Sequence, residues 1–209
     1  MEGDLAGLLQ RGCAALELGL GGGAQQLLLD YLDLLAKWNR AYNLTAVRDP
    51  AQMVCRHLLD SLAVGPFLRG RRLLDAGTGA GLPGVPLAIL YPDREFDLLD
   101  SNGKKTRFLF QVKTALRLDN IQIPQQRVET FHPPAPFDAV LSRAFASLSD
   151  MVDRCRHLPG PDGRFLAMKG TCPEAELAAV SDRCEICGVY PLRVPGLGEQ
   201  RHLVELRLL

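Results

Sequence analysis

The spacing of apolar positions changes near residue 70. Before it, they recur at helical intervals. Leu5, Leu8, Leu9 and Leu16 predict a first helix over residues 4–18, which the glycines between Gly19 and Gly23 interrupt. Leu28, Tyr31, Leu35, Trp38 and Tyr42 follow at steps of three and four, one buried face of a second helix. A third opens with Asp49 as cap and Pro50 in the first turn, and runs through Met53, Val54, Leu58 and Leu62 until Gly65-Pro66 stops it. Beyond residue 70 short apolar runs alternate with helical patterns. Strands are expected at Arg72–Asp75, Glu95–Asp100, Ile121–Ile123 (weakly), Phe137–Leu141 and Arg164–Met168. Helices are expected at Pro86–Leu90, 103–118, 147–157 and 173–184, with a turn at Pro159-Gly160. Two closing strands, 188–194 and 202–208, lack an intervening helix and predict a hairpin at one edge. This alternation implies an α/β fold, a mostly parallel sheet with helices on both faces. Residues 1–68 form an N-terminal helical segment packed on a domain spanning 69–209.

Composition narrows the class. The chain has 209 residues, 47% of them hydrophobic, which argues against disorder. No run of about 18 uncharged apolar residues exists, so no membrane span is expected. The N-terminus MEGDLAGLLQRG places acids before any apolar run and does not read as a secretory signal. Six scattered cysteines in a chain of this size point to a reduced, cytoplasmic setting. The 24 basic residues balance 24 acidic ones, which excludes indiscriminate nucleic-acid binding but not a local patch. One candidate patch is residues 101–127, where Lys104, Lys105, Arg107, Lys113, Arg117 and Arg127 face only Asp119.

The densest signal is Leu73-Leu-Asp75-Ala-Gly77-Thr-Gly79-Ala-Gly81-Leu-Pro-Gly84, where the first strand meets the first crossover helix. Open α/β sheets bind ligands at that edge. Two ligands fit. Gly79-x-Gly81-x-x-Gly84 matches the dinucleotide fingerprint, with Asp100 near the expected distance. Asp75-x-Gly-x-Gly-x-Gly instead matches the loop that holds S-adenosylmethionine (SAM). The acid and extra glycine before that fingerprint, and the delay of the helix by Pro83 and Pro86, favour SAM. In that reading Asp75 reaches the α-ammonium directly or through water, and Asp100 accepts from the ribose hydroxyls.

Other constellations are weaker. Cys184-x-x-Cys187 lacks the second ligand pair of a structural zinc, so no metal is expected. His57, Asp60 and Ser61 share a helix face, but a hydrolase presents its nucleophile on a strained turn. With Trp38, Tyr42 and Asn43 they are expected to hold the helical segment against the sheet.

Nine words, in order, resemble one family, the bacterial small-subunit ribosomal RNA guanine-N7 methyltransferases called RsmG or GidB. They are Lys37-Trp-Asn-Arg-Ala-Tyr-Asn-Leu-Thr45, Arg56-His-Leu-Leu-Asp-Ser-Leu62, the loop Asp75 to Gly84, Leu99-Asp-Ser-Asn-Gly-Lys-Lys105, Arg127-Val-Glu129, Ser142-Arg-Ala-Phe-Ala-Ser147, His157-Leu-Pro-Gly160, Met168-Lys-Gly170 and Glu199-x-Arg-His-Leu203. Ala76, Ala80 and Asn102 depart from the family's usual residues without removing a polar group. The resemblance implies a class I SAM-dependent fold, Rossmann-like, with an antiparallel C-terminal edge strand. It implies SAM contacts at Gly77, Leu82, Val128, Glu129 and Arg143, beside Asp75, Gly79 and Asp100. It also implies methyl transfer to N7 of one guanine in the decoding-region loop of 16S rRNA in the small ribosomal subunit. Guanine N7 has a free lone pair, so no proton need be removed and positioning suffices. Arg143 is then the candidate for a catalytic role. Lys104, Lys105, Arg107, Lys169, Arg201 and His202 are the candidate RNA contacts. A NAD-dependent oxidoreductase and a non-catalytic SAM-binding regulator are the alternatives.

Overall fold

Seven strands form one sheet in the order β3-β2-β1-β4-β5-β7-β6 in the computed structural model, which describes residues 4–143 and 145–209. Met1–Gly3, where the N-terminal leader reading begins, and Ala144, within the Ser142–Ser147 word, lie outside the described residues. The strands are β1 (Arg72–Ala76), β2 (Glu95–Leu99), β3 (Ile121–Gln122), β4 (Phe137–Ser142), β5 (Pro159–Lys169), β6 (Cys184–Pro191) and β7 (His202–Leu208). The pairings β1–β2, β1–β4, β2–β3 and β4–β5 are parallel, and β7 runs antiparallel to both β5 and β6. The closing hairpin therefore sits at one side of the sheet, its C-terminal strand one place in and β6 outermost.

Successive strand residues face opposite sides. Leu73 and Phe96 enter one core with α1 (Leu5–Ala15), α2 (Gly22–Tyr42), α5 (Gly84–Leu90) and α6 (Gly103–Leu116). Leu74 and Leu99 enter the other, with α7 (Leu148–Cys155) and α8 (Glu174–Ala178). The first core draws on Leu9, Leu28, Tyr31, Leu35 and Leu62 as well as the sheet, so the N-terminal helices make the outer layer of that face. Within the predicted stripe of α2, Leu28, Tyr31 and Leu35 are fully buried, whereas Tyr42 at its end is exposed and stacks on Trp38 at 5.2 Å between centroids.

Four local differences from the sequence pattern have physical causes. The third helix is interrupted: α3 (Pro50–Met53) passes into a π-helical turn, Val54–Leu59, before α4 (Asp60–Leu62). Apolar periodicity does not register one extra residue per turn. Residues 173–184 give only the five-residue α8, and the next strand starts at Cys184 rather than 188, because Cys184 pairs with Leu208 in the ladder. Pro159-Gly160 begins β5, with a register shift between the pairs made by Phe137 and Ala139. The first helix ends at Ala15, after which Glu17 adopts positive φ. Among the described residues, no helix is long and apolar enough to cross a membrane, and no group of three His, Cys, Asp or Glu side chains could hold a metal. All six cysteines are free.

Candidate functional site

The glycine loop leaves the C-terminal end of β1 and is held on three sides. Gly77 and Thr78 donate their N–H groups to the Leu99 carbonyl at the end of β2, at 2.9 and 3.1 Å. From α2 the Tyr31 hydroxyl, fully buried, donates to the Ala80 carbonyl at 2.8 Å. Ser142 Oγ at the end of β4 donates to the Ala76 carbonyl at 2.8 Å. Within the loop the glycines serve different ends. A Cβ on Gly81, where φ is +93°, would lie 2.5 Å from Val85 Cγ2 and 2.8 Å from Leu109 Cδ2, so this glycine permits close packing. A Cβ on Gly79, at φ +63°, would meet nothing closer than 3.9 Å. Gly79 thus faces open space.

Asp75, 1% exposed, braces the loop from inside. Its Oδ2 accepts from Thr78 Oγ1 at 2.7 Å and from the Gly84 N–H at 2.8 Å, and its Oδ1 is buried with no partner. Burial pushes its pKa up to about 6, although both hydrogen bonds and Arg143 pull the other way. The contact with Gly84 decides between the two ligands considered from sequence. A dinucleotide pyrophosphate needs the free N–H groups of this helix start. Here a carboxylate of the chain itself occupies it, as suits a cofactor without a pyrophosphate. Asp100, 7% exposed at the end of β2, accepts from the Gly79 N–H at 3.0 Å and from Asn102 N–H at 2.8 Å, and pairs with Lys105 at 3.4 Å.

Three concave spaces adjoin along the C-terminal ends of the strands. A cleft of about 240 Å³ is lined by Gly77, Leu99, Asp100, Val128, Glu129 and Arg154, among others. Val128 and Glu129 reach it from a 3₁₀ turn, and Arg154 of α7 pairs with Glu129 at 2.9 Å. The backbone N–H of Glu129 and then the Arg154 guanidinium hold the Glu129 carboxyl below the usual range. A middle chamber of about 170 Å³ is lined by Thr45, Gly77, Gly79, Leu82, Lys105 and Arg143. A third, basic cleft of about 320 Å³ is lined by Arg56, His57, Asp60, Arg143, Lys169 and Arg201. Gly77 belongs to the first two spaces and Arg143 to the last two.

The basic cleft rests on a lattice of ion pairs. Asp60, 2% exposed, accepts from Arg143 Nη1 at 3.3 Å and from Arg201 Nε at 3.1 Å. Glu199 joins Arg201 Nη2 at 3.1 Å and Arg56 Nη2 at 2.5 Å. Arg143 Nη1 also approaches the Arg56 carbonyl, at 3.4 Å, within the π-helical turn. His57 Nε2 lies 2.9 Å from Thr45 Oγ1. Its Nδ1 is buried without a partner, and burial lowers its pKa to about 4, so the ring is neutral at pH 7.

The residues expected from sequence therefore divide. Gly77, Asp100, Val128 and Glu129 line the first cleft, Gly79, Leu82 and Lys105 the middle chamber, and Lys169 and Arg201 the basic cleft, with Arg143 shared. His202 stands at the rim, its Nδ1 3.1 Å from the Gly170 carbonyl. The basic run 101–127 is not one patch. Helical periodicity turns Lys104 and Arg107 outward on α6, Lys113 Nζ donates to the Ile121 carbonyl, and Arg127 lines the first cleft. Asp60 joins the helical segment to the sheet side through the two arginines of the cleft. Arg56, Asp60 and Glu199 were not singled out for the site; the costly burial of an acid in an otherwise apolar helix, Leu58-Leu-Asp60, was the available signal.

The profile of the GidB family, described as rRNA small subunit methyltransferase G, matches residues 24–204. A ribosomal RNA small subunit methyltransferase G of Salmonella arizonae is 57% identical over 180 residues, covering 86% of this chain and 87% of its own. Among solved structures, the SAM-dependent methyltransferase SibL superposes with a TM-score of 0.58 at 16% identity, over 88% of this chain and 70% of its own. TrmN from Thermus thermophilus gives 0.57 at 19% identity, over 82% and 53%. Both share this chain's fold.

Proposed function

The chain belongs to the rRNA small subunit methyltransferase G family, and from that premise we propose how its three adjoining spaces divide one reaction. The reaction is transfer of the SAM methyl group to N7 of a guanine in 16S rRNA. The observation that carries the assignment is the order of the spaces, a cofactor cleft and a basic cleft meeting at a chamber walled by Gly79 and Arg143.

SAM supplies an electrophilic methyl group on a sulfonium. The residues present fit it. Asp100, at the mouth of the first cleft, accepts from the ribose hydroxyls, and Val128 and Glu129 flank the adenine. Asp75 Oδ1, buried and unpartnered, is the atom left to accept from the α-ammonium, directly or through water. Gly77, Gly79 and Leu82 let the backbone approach the methionine end. On the opposite side Arg56, Arg143, Lys169, Arg201 and His202 receive the RNA, with Lys104 and Arg107 contacting phosphates beyond, while Lys105 stays paired with Asp100 at the middle chamber. Nothing must accept a proton from guanine N7, so the protein's work is to hold nucleophile and methyl in line and keep water out. Arg143 is a positioning residue in this scheme. Its charge is already met by Asp60, so it does not add a bare cation beside a base that becomes positively charged. The small ribosomal subunit as partner and the cytoplasm as location follow from this substrate.

The test is calorimetric and isotopic. The wild-type chain should bind SAM, Gly79→Asp and Asp100→Ala should abolish binding, and labelled methyl should reach a guanine of 16S rRNA. Unchanged affinity in both variants would remove the cofactor assignment. Binding without transfer to RNA would make the chain a SAM-binding regulator.

A further inference from the structure

Guanine and adenine both carry an N7 lone pair, so a site that only positions N7 selects neither. They differ on the remaining edge. Guanine presents the O6 acceptor beside N1–H and N2–H donors, where adenine presents an N6 donor and an N1 acceptor. The basic cleft has donors enough for O6 in Arg56, Arg143, Lys169 and Arg201. Acceptors for N1–H and N2–H are scarcer. Asp60 is 2% exposed and each of its oxygens is already held by an arginine. Glu176 Oε2 is taken by Lys169 Nζ at 2.8 Å and the Leu148 N–H at 2.7 Å. Glu199 differs. Its side chain is 49% exposed, and two lining arginines grip it, Arg56 on Oε1 and Arg201 on Oε2.

We propose that Glu199 is the specificity-determining residue for the acceptor base, its carboxylate accepting from guanine N1–H and N2–H. The inference rests on the reading of the basic cleft as the acceptor site. Each carboxylate oxygen has a further acceptor direction after one arginine contact. Being held at both oxygens fixes the plane of the carboxylate before the base arrives, which removes the rotamer cost of ordering it. An adenine in the same pose would bring its N1 lone pair against a carboxylate and be rejected.

The experiment uses the full chain, labelled SAM, and small subunits reassembled with 16S rRNA carrying guanosine or inosine at the mapped methylation position. Inosine keeps N7, O6 and N1–H but lacks the N2 amino group. Wild-type enzyme should prefer guanosine by about tenfold or more in kcat/KM, the size of a hydrogen bond to a charged group. Glu199→Gln should lower kcat/KM on guanosine by about 10- to 100-fold and bring the guanosine-to-inosine ratio close to one, with SAM affinity unchanged. The ratio does not depend on the folded fraction of the variant. Equal losses on both RNAs with the wild-type ratio kept would overturn the proposal, leaving Glu199 only a brace for Arg56 and Arg201. Undiminished activity would overturn it too. Absence of transfer by the wild-type chain to either RNA would instead overturn the methyltransferase reading, and this inference with it.

Discussion

Asp75→Asn separates stability from cofactor binding in one substitution. In the folded chain, burial raises the Asp75 pKa from 3.8 to about 6. At alkaline pH the ionised carboxylate thus costs the fold about 3 kcal/mol, at 1.36 kcal/mol per pKa unit. The sign follows from the direction: an acid raised on folding favours the native state at low pH, and that advantage is lost as pH rises from 3.8 through 6. Asparagine keeps one oxygen for Thr78 Oγ1 and the Gly84 N–H and places an amide at the unpartnered position, where unmet donors cost about 1–2 kcal/mol. The variant is therefore expected to be more stable than wild type by about 1 kcal/mol at pH 8. Its advantage should shrink by about 2 kcal/mol on going to pH 4.5, where Asp75 in the native wild type is mostly protonated. His57, with its pKa lowered to about 4, acts oppositely: its stability is present above 6.5 and lost as pH falls toward 4. Comparing the two proteins at each pH cancels that contribution. SAM affinity of the variant should fall about 10- to 100-fold, since the acceptor for the ammonium has lost its charge. Urea denaturation at pH 8, 6 and 4.5, with SAM titration at pH 8, measures both quantities. A stability difference independent of pH, or unchanged SAM affinity, would refute the role assigned to Asp75.

Tyr31→Phe leaves the Ala80 carbonyl without its donor and should cost about 1–3 kcal/mol in thermal or urea unfolding; the KM for SAM should rise more than kcat falls, whereas equal changes would mean only a looser core. Gly81→Ala, crowded by Val85 and Leu109, should destabilise by about 1–3 kcal/mol. Gly79→Ala, with open space around it, should cost only about 1 kcal/mol in stability yet weaken SAM binding, and the reverse ranking in calorimetry would contradict the placement of the loop. Lys105→Glu puts an acid beside Asp100 and should weaken SAM binding, while Lys104→Glu should spare SAM and lower the salt slope of RNA binding by about one.

The sequence reveals most where a residue type has few alternative explanations. Four glycines between Gly77 and Gly84, after a strand ending in Asp75, leave little besides a ligand loop, and the loop stands there. Periodicity located α2 and the third helix because one apolar face is buried over several turns. The basic cleft was harder to see. Asp60 meets Arg143 and Arg201 across 83 and 141 residues of chain, and no local pattern encodes a contact at that separation. The π-helical turn that carries Arg56 and His57 is likewise silent in a periodicity of three and four. The start of β6 was misplaced because residues 179–183 have helical character locally, while the ladder with β7 outweighs it. In the run 101–127 a helix distributes neighbours around its axis, so Lys104 is exposed while the adjacent Lys105 pairs with Asp100.

These contacts also explain why the helical segment and the sheet make one site. The first cleft is lined by residues at the ends of β1 and β2, by the 3₁₀ turn at Val128–Thr130 and by α7, all of them after the helical segment. The basic cleft is different, because Val47, Arg56, His57 and Asp60 form one wall and Arg143, Met168, Lys169 and Arg201 the other. Asp60 ties those walls through two arginines, and Tyr31 ties α2 to the glycine loop. A buried carboxylate removed from its arginines leaves uncompensated charge on both sides, a loss of several kcal/mol. The basic cleft thus exists only where the segment before β1 meets the residues that follow β4 and flank the late strands.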